Sequence, residues 1–300
     1  MQQNLFPEYQ ETDQDNQKTI NIASVPQRSP FRYPGGKTWF VPTLRKWLKS
    51  KRKKPSLLIE PFAGGGIISL TAIFEDLTER ALMVELDEQV AAVWQSIVDG
   101  HADWIINKIL TFELNKQNLF FELNKEYHDP KHIAFQTILK NRTFHGGILA
   151  KGSSIVKYGE NGKGLLSRWY PFTLARRIKN INYIRSRLDF INADGMEIMR
   201  SYASKTNIVY FIDPPYTAGG KRAGARLYKH YDIDHERLFE LCKTLKGDFI
   251  LTYDNADEVK ALARKYGFEI SPISMKNTHH AEMTELVIGR DLSWMNHVNN

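Results

Sequence analysis

Short apolar runs alternate along the chain with longer stretches in which apolar residues recur every three or four positions. The runs predict strands over 56–60, 81–86, 188–192, 207–212 and 247–252, with two more close together at 268–273 and 285–289. The periodic stretches predict helices over 37–50, 66–78, 88–98, 235–245 and 257–266. Strands that are apolar throughout must be covered on both faces, so this order predicts an α/β fold around a mostly parallel sheet. One interval breaks the rhythm. About 100 residues separate the second strand from the third, too many for a crossover, and an inserted domain is expected over 100–187. The parent domain is then expected over 30–99 and 188–291. Residues 1–29, rich in Gln, Asn, Asp and Glu, are expected to form a poorly ordered tail, as are 292–300.

A chain of 300 residues that is 42% hydrophobic and 25% charged is neither disordered, nor fibrous, nor a disulfide scaffold. Its one cysteine, Cys242, lies among Leu238, Phe239, Leu241 and Leu245 and reads as a buried thiol in a reducing compartment. No apolar run approaches the roughly 18 residues that span a bilayer, and the first residues lack the pattern of a signal peptide. A cytoplasmic protein with no membrane partner is expected. The net charge of +7 is unevenly placed. Between Lys140 and Arg187 eleven basic residues face a single acid, Glu160, so that this segment carries +10 and the remainder −3. Phe144, Tyr158, Trp169, Tyr170 and Phe172 are interleaved with those charges, the composition of a nucleic-acid surface. Lys140, Arg142, Lys151, Lys157 and Arg168 are the candidate phosphate contacts there. The basic run at 45–54 instead closes a helix, where cations meet the negative end of the dipole.

Two motifs carry chemistry. Residues 58–70 read LIEPFAGGGIISL: a strand ending in Glu60, then Pro61, Phe62 and a turn containing Gly64 and Gly66 that opens a helix. Glycines there let the backbone approach a ligand, and Glu85, at the end of the next strand, is spaced to accept hydrogen bonds from ribose hydroxyls. An adenosine-containing cofactor follows, a dinucleotide or S-adenosylmethionine. The second motif, Asp213-Pro214-Pro215-Tyr216, closes an apolar strand. Its prolines stiffen the turn and remove two N–H donors, so a carboxylate and outward carbonyls face a planar amine while Tyr216 stacks on its ring. The following segment, 217–229, has three glycines and four basic residues, among them Lys221, Arg222 and Arg226, and is expected to close over a base and its phosphates. No His, Cys or carboxylate cluster has metal-binding spacing.

These motifs, with FRYPGGK at 31–37 and TELVIG at 284–289, resemble the Dam-like N6-adenine DNA methyltransferases of the alpha-ordered D12 class. The resemblance covers about 31–290. It implies a Rossmann-like class I methyltransferase fold: a seven-stranded, mostly parallel sheet with an antiparallel C-terminal strand, plus a mainly helical inserted recognition domain. It also implies contacts to S-adenosylmethionine from Tyr33 and Lys37, which flank Gly35 and Gly36, from Glu85 to the ribose, and from Asp194 near the cofactor adenine. Asp213 serves both cofactor and target. The segment NRTFHGG at 141–147 looks like the family's recognition motif, with His145 where many relatives have Asn. The implied reaction is methyl transfer to N6 of an adenine flipped from double-stranded DNA, with no metal. A monomer or weak dimer is implied, in a bacterium or from a phage, with a restriction endonuclease as an optional partner. Other targets consistent with the turn are an RNA base, cytosine N4 or a protein amide.

Overall fold

The apolar runs become seven strands: β1 (Leu57–Glu60), β2 (Arg80–Glu85), β3 (Leu188–Asn192), β4 (Ile208–Ile212), β5 (Asp248–Asp254), β6 (Glu269–Lys276) and β7 (Glu282–Gly289). The computed structural model describes residues 25–32, 36–149, 152–159, 162–215, 233–276 and 282–295. The strands form one sheet in the order β3-β2-β1-β4-β5-β7-β6. Neighbours from β3 through β5 are parallel, and β7 runs antiparallel between β5 and β6. This is the Rossmann-like arrangement the sequence implied. Strand order reverses between β1 and β4, and open α/β sheets bind their ligands outside the carboxyl ends at such a point.

Both faces of the central strands are buried, which is why β4 and most of β5 read as apolar runs. Leu58, Val209 and Phe211 point into one cluster, whereas Ile59, Tyr210 and Ile212 point into the opposite one. On the first face lie α1 (Val41–Lys49), entered through a 3₁₀ turn at Lys37–Phe40, and α2 (Ile67–Phe74). The helix expected to reach Thr78 stops at Phe74, because Asp76 takes a positive φ of 55° that a right-handed helix excludes. The other face is covered by α8 (Gly195–Tyr202), α9 (His235–Thr244) and α10 (Asp257–Tyr266). Cys242 is fully buried in this second cluster, and burial pushes its thiol pKa up.

Between β2 and β3 the chain forms α3 (Glu88–Val98) and then four helices of the insertion: α4 (Ala102–Thr111), α5 (Lys116–Leu123), α6 (Pro130–Thr143) and α7 (Pro171–Ile184). Asp87, Asn115 and Asp129 cap α3, α5 and α6 by accepting backbone N–H bonds in their first turns. Ile105, Leu119, Ile138 and Ile178 share one apolar cluster with Trp94 of α3 and Met83 of β2. The insertion's helices are therefore packed onto the β2–β3 side of the sheet through a shared core.

The ends depart from expectation. Residues 25–29 and 292–295 were expected in tails, yet Val25, Leu292 and Trp294 are buried against α1 and the sheet. Arg28 also pairs with Glu75 at 3.0 Å and lies over the Phe74 ring. A composition average hides one or two well-placed apolar anchors in a polar segment. Trp294→Ala is expected to lower the unfolding free energy by about 3 kcal/mol. Urea unfolding checks this, and a change below about 0.5 kcal/mol, the usual range for surface substitutions, would mean the C-terminal turn contributes no packing.

Candidate active site

The carboxyl ends of β1 and β4 lie side by side, since Leu57, Leu58 and Ile59 pair with Ile208, Val209 and Tyr210. Beyond β1 the chain turns through Pro61, Phe62 and the glycines into α2. Gly66 has φ 62°, and a Cβ there would fall 2.9 Å from both Met83 Sδ and the Trp94 ring. Gly64, with φ 46°, donates its N–H to Glu85 Oε2 at 2.9 Å, and its carbonyl accepts from Trp94 Nε1 at 2.9 Å. The loop is thus pinned to the end of β2 and to α3. Pro61 is buried, and any Cβ on Gly195 would strike its carbonyl oxygen at 2.1 Å, so the loop also packs against the start of α8. Phe62 is half-buried on the α8 side.

Glu60 turns inward. It is 4% exposed, and its Oε2 accepts from the Ser69 N–H at 2.9 Å and from Ser69 Oγ at 2.5 Å. Burial pushes its pKa up to about 8 against the opposing Ser69 bonds, with Asp213 and Glu85 adding repulsion. This residue braces the glycine loop from behind. Glu85 accepts backbone N–H bonds from Gly64 on Oε2 and from Leu86 and Asp87 on Oε1, each at 2.9 Å, while burial raises its pKa. Three of a carboxylate's roughly four acceptor positions are so occupied, leaving room for one hydroxyl where two were expected. Asn192, opposite Glu85 on β3, holds the Glu85 carbonyl at 2.7 Å. Asp194 is exposed at the end of β3 and caps α8, accepting from Met196 N–H at 2.7 Å.

At the end of β4, Asp213 Oδ1 accepts from Thr252 Oγ1 at 2.8 Å and lies 3.1 Å from Lys37 Nζ. The same ammonium lies 3.2 Å from Glu285 Oε2 on β7. Lys37 is only 4% exposed and Thr252 and Glu285 are buried, whereas Asp213 retains some access to solvent. Burial alone would lower the lysine pKa, but Asp213 and Glu285 more than offset it and hold it above its ordinary value. Pro214 is buried and Pro215 half-buried behind the carboxylate. Sequence reasoning assigned no role to Thr252 or Glu285; the available signal was a polar residue within an otherwise apolar strand.

Residues 33–278 match the family of D12 class N6 adenine-specific DNA methyltransferases. The chain belongs to that family. It is an S-adenosylmethionine-dependent methyltransferase. Among curated proteins none matches the sequence. Among solved structures it is similar to an rRNA methyltransferase from Streptomyces viridochromogenes, at 11% identity and TM-score 0.43, covering 93% of this chain and 96% of that one. It is also similar to a putative RNA methyltransferase from Pyrococcus horikoshii, at 10% identity and TM-score 0.38, covering 87% of each chain.

The donor set fits S-adenosylmethionine. Carboxylates stand at the end of β2 (Glu85) and just past β3 (Asp194), acceptors of the kind a ribose and an adenine amine need, and the glycine turn after β1 is pinned by the Glu85 carboxylate and the Trp94 indole. Gly36 is exposed beside Lys37; Tyr33, Gly35 and Tyr216 lie outside the described residues. The candidate phosphate contacts separate. Arg142 is corrected: at 5% exposure it donates to the Pro30 carbonyl, and burial, with repulsion from Arg177 and Arg32, lowers its pKa to about 9. Lys140 is half-buried beside Gln89, and burial lowers its pKa. Lys157 is exposed and Arg168 partly so, while Lys151, Lys221, Arg222 and Arg226 lie outside the described residues. Part of the positive excess is tied to backbone: Arg177, half-buried, donates to the Ser29 carbonyl, and Arg185 and Arg187 donate at the surface to the carbonyls of Val98 and Glu79.

Because Glu60 titrates near 8 folded and near 4.5 unfolded, its contribution to stability is complete below about pH 4.5 and is lost as pH rises toward 8. Glu60→Gln, which cannot ionise, is expected to gain on the wild type by roughly 1 kcal/mol per pH unit between about pH 5 and 8. Urea midpoints across that range check this; a difference independent of pH would contradict a protonated buried carboxyl.

Proposed function

We propose that this methyltransferase acts on N6 of an adenine turned out of duplex DNA. The carrying observation is the Asp213 carboxylate, oriented at the carboxyl end of β4 by Thr252 and Lys37 and followed at once by two prolines. The N6 lone pair of adenine is delocalised into its ring and is a poor nucleophile. An oriented carboxylate and the Pro214 carbonyl, accepting hydrogen bonds from the two N6–H groups, favour a pyramidal nitrogen and stabilise positive charge as it develops; once methylated, the nitrogen releases one proton to solvent. Bound S-adenosylmethionine supplies an electron-poor sulfonium methyl. The chain's own work is alignment: Glu85 and the glycine turn orient the donor, and the Asp213 turn orients the acceptor, for in-line displacement.

An adenine inside a duplex cannot reach this turn, so the base must leave the stack at a cost of a few kcal/mol. Tyr216 stacking, worth about 1–3 kcal/mol per base, offsets part of it. The insertion supports a polynucleotide target rather than a protein amide. Tyr158 and Phe172 are 83% and 81% exposed in the same stretch of chain as the exposed Lys157, Lys163, Arg176 and Lys179. Residues 100–187 accordingly serve as the recognition insertion, with Lys157, Arg168 and Lys151 as phosphate contacts.

Incubation with methyl-labelled cofactor and duplex DNA, RNA or protein tests the reading. Label is expected in DNA as N6-methyladenine; label confined to RNA, protein or cytosine would overturn it. Asp213→Ala is expected to cut turnover by at least about 10³ while duplex retention persists, and an unimpaired variant would refute its role.

A further inference from the structure

The backbone at 29–32, which leads into Lys37, is gripped by side chains of the insertion. Asn141, in the last turn of α6 and 1% exposed, accepts from the Arg32 N–H at 2.9 Å and donates to the Arg32 carbonyl, also at 2.9 Å. One carboxamide thereby pairs both backbone groups of one residue, as a neighbouring strand would. Its second N–H holds the Gly147 carbonyl at 2.8 Å. Gly147, with φ 73°, is seated so closely that a Cβ would fall 2.5 Å from the Arg32 carbonyl oxygen. Arg142 donates to the Pro30 carbonyl, and Arg177 of α7 donates to the Ser29 carbonyl at 3.0 Å. Phe31 packs on Trp94 at 5.7 Å between ring centres.

Burying a guanidinium against neutral carbonyls is costly, and docking a helix on the core needs only apolar contact. What the polar set adds is direction: the backbone at Ser29, Pro30 and Arg32 is fixed relative to α6 and α7. The segment 141–147, expected to face DNA, therefore turns its Asn141–Arg142 pair inward. We infer that Asn141, Arg142 and Arg177 are positioning residues for the cofactor site, fixing the backbone that leads into Lys37 and linking the recognition insertion to the methyl-donor pocket. The inference rests on reading Lys37 as part of that pocket.

The test is calorimetric titration of S-adenosylmethionine into the full chain without DNA, with duplex affinity measured separately. Arg177→Gln, at a partly exposed site, and Asn141→Ala are each expected to raise the cofactor Kd about tenfold, the scale of a lost buried hydrogen bond to a charged or amide partner. Arg177→Lys, which keeps a cationic donor, is expected to recover part of that loss, and duplex affinity is expected to stay within about twofold. A general loss of structure would lower the bound fraction and the melting temperature without moving Kd. A cofactor Kd within about twofold of wild type in a normally melting Arg177→Gln, or a fall in duplex affinity with cofactor affinity intact, would overturn the inference. Wild type that binds no cofactor would overturn both this and the proposed function; unchanged variants overturn this alone.

Discussion

A single buried ammonium organises the site. Lys37 Nζ stands 3.1 Å from one carboxylate and 3.2 Å from another, in a setting where an uncompensated charge would be severely penalised. The two acids come from distant points of the chain: Asp213 closes β4 and Glu285 lies in β7. Their attraction to one lysine ties the turn that opens α1 to the switch point of the sheet and to its antiparallel strand. Glu285 gives the reversed strand a role in the site beyond completing the sheet. Thr252 adds the remaining constraint, fixing Asp213 Oδ1 from β5 at 2.8 Å. A carboxylate so restrained loses little freedom when it meets an amine, which is the sense in which such a site is preorganised.

The glycine loop is held differently, by side chains that bind its backbone and the turn after it. Gly64 gives its N–H to Glu85 and its carbonyl to Trp94, and Glu60 holds the first turn of α2 through Ser69. The same Glu85 that is expected to meet a ribose is first a cap for the loop beneath it. Loop and acid form one unit, so altering either would move both. Farther along, side chains of the insertion clasp the backbone before Lys37, so the chain's longest excursion from the parental sheet returns to the segment that leads into the buried lysine.

Much of this was legible in the order of residues. Every strand was found, the central ones because burial on both faces turns them into apolar runs, and β3 and α3 were bounded to the residue. The Asp213 turn and the glycine loop were legible because prolines and glycines carry their backbone geometry with them. Partnership between distant residues was not. Glu285 and Thr252 sit in apolar strands, where a polar residue signals a buried partner without saying which one. Counting charge likewise cannot separate a cation that faces solvent from one that holds a carbonyl, and so Arg142 was assigned to DNA when it braces Pro30. Val25 and Trp294 show the same limit at the ends, where a single anchor decides order.

The methyl donor is expected to lie between Glu85 and Asp213. A crystal structure of the chain with S-adenosylmethionine measures this most directly. The cofactor's ribose is expected against Glu85 and its sulfonium beside the Asp213 turn, with the Lys37 ammonium still between its two acids. A cofactor bound away from the glycine loop, or with its sulfonium directed away from Asp213, would contradict it.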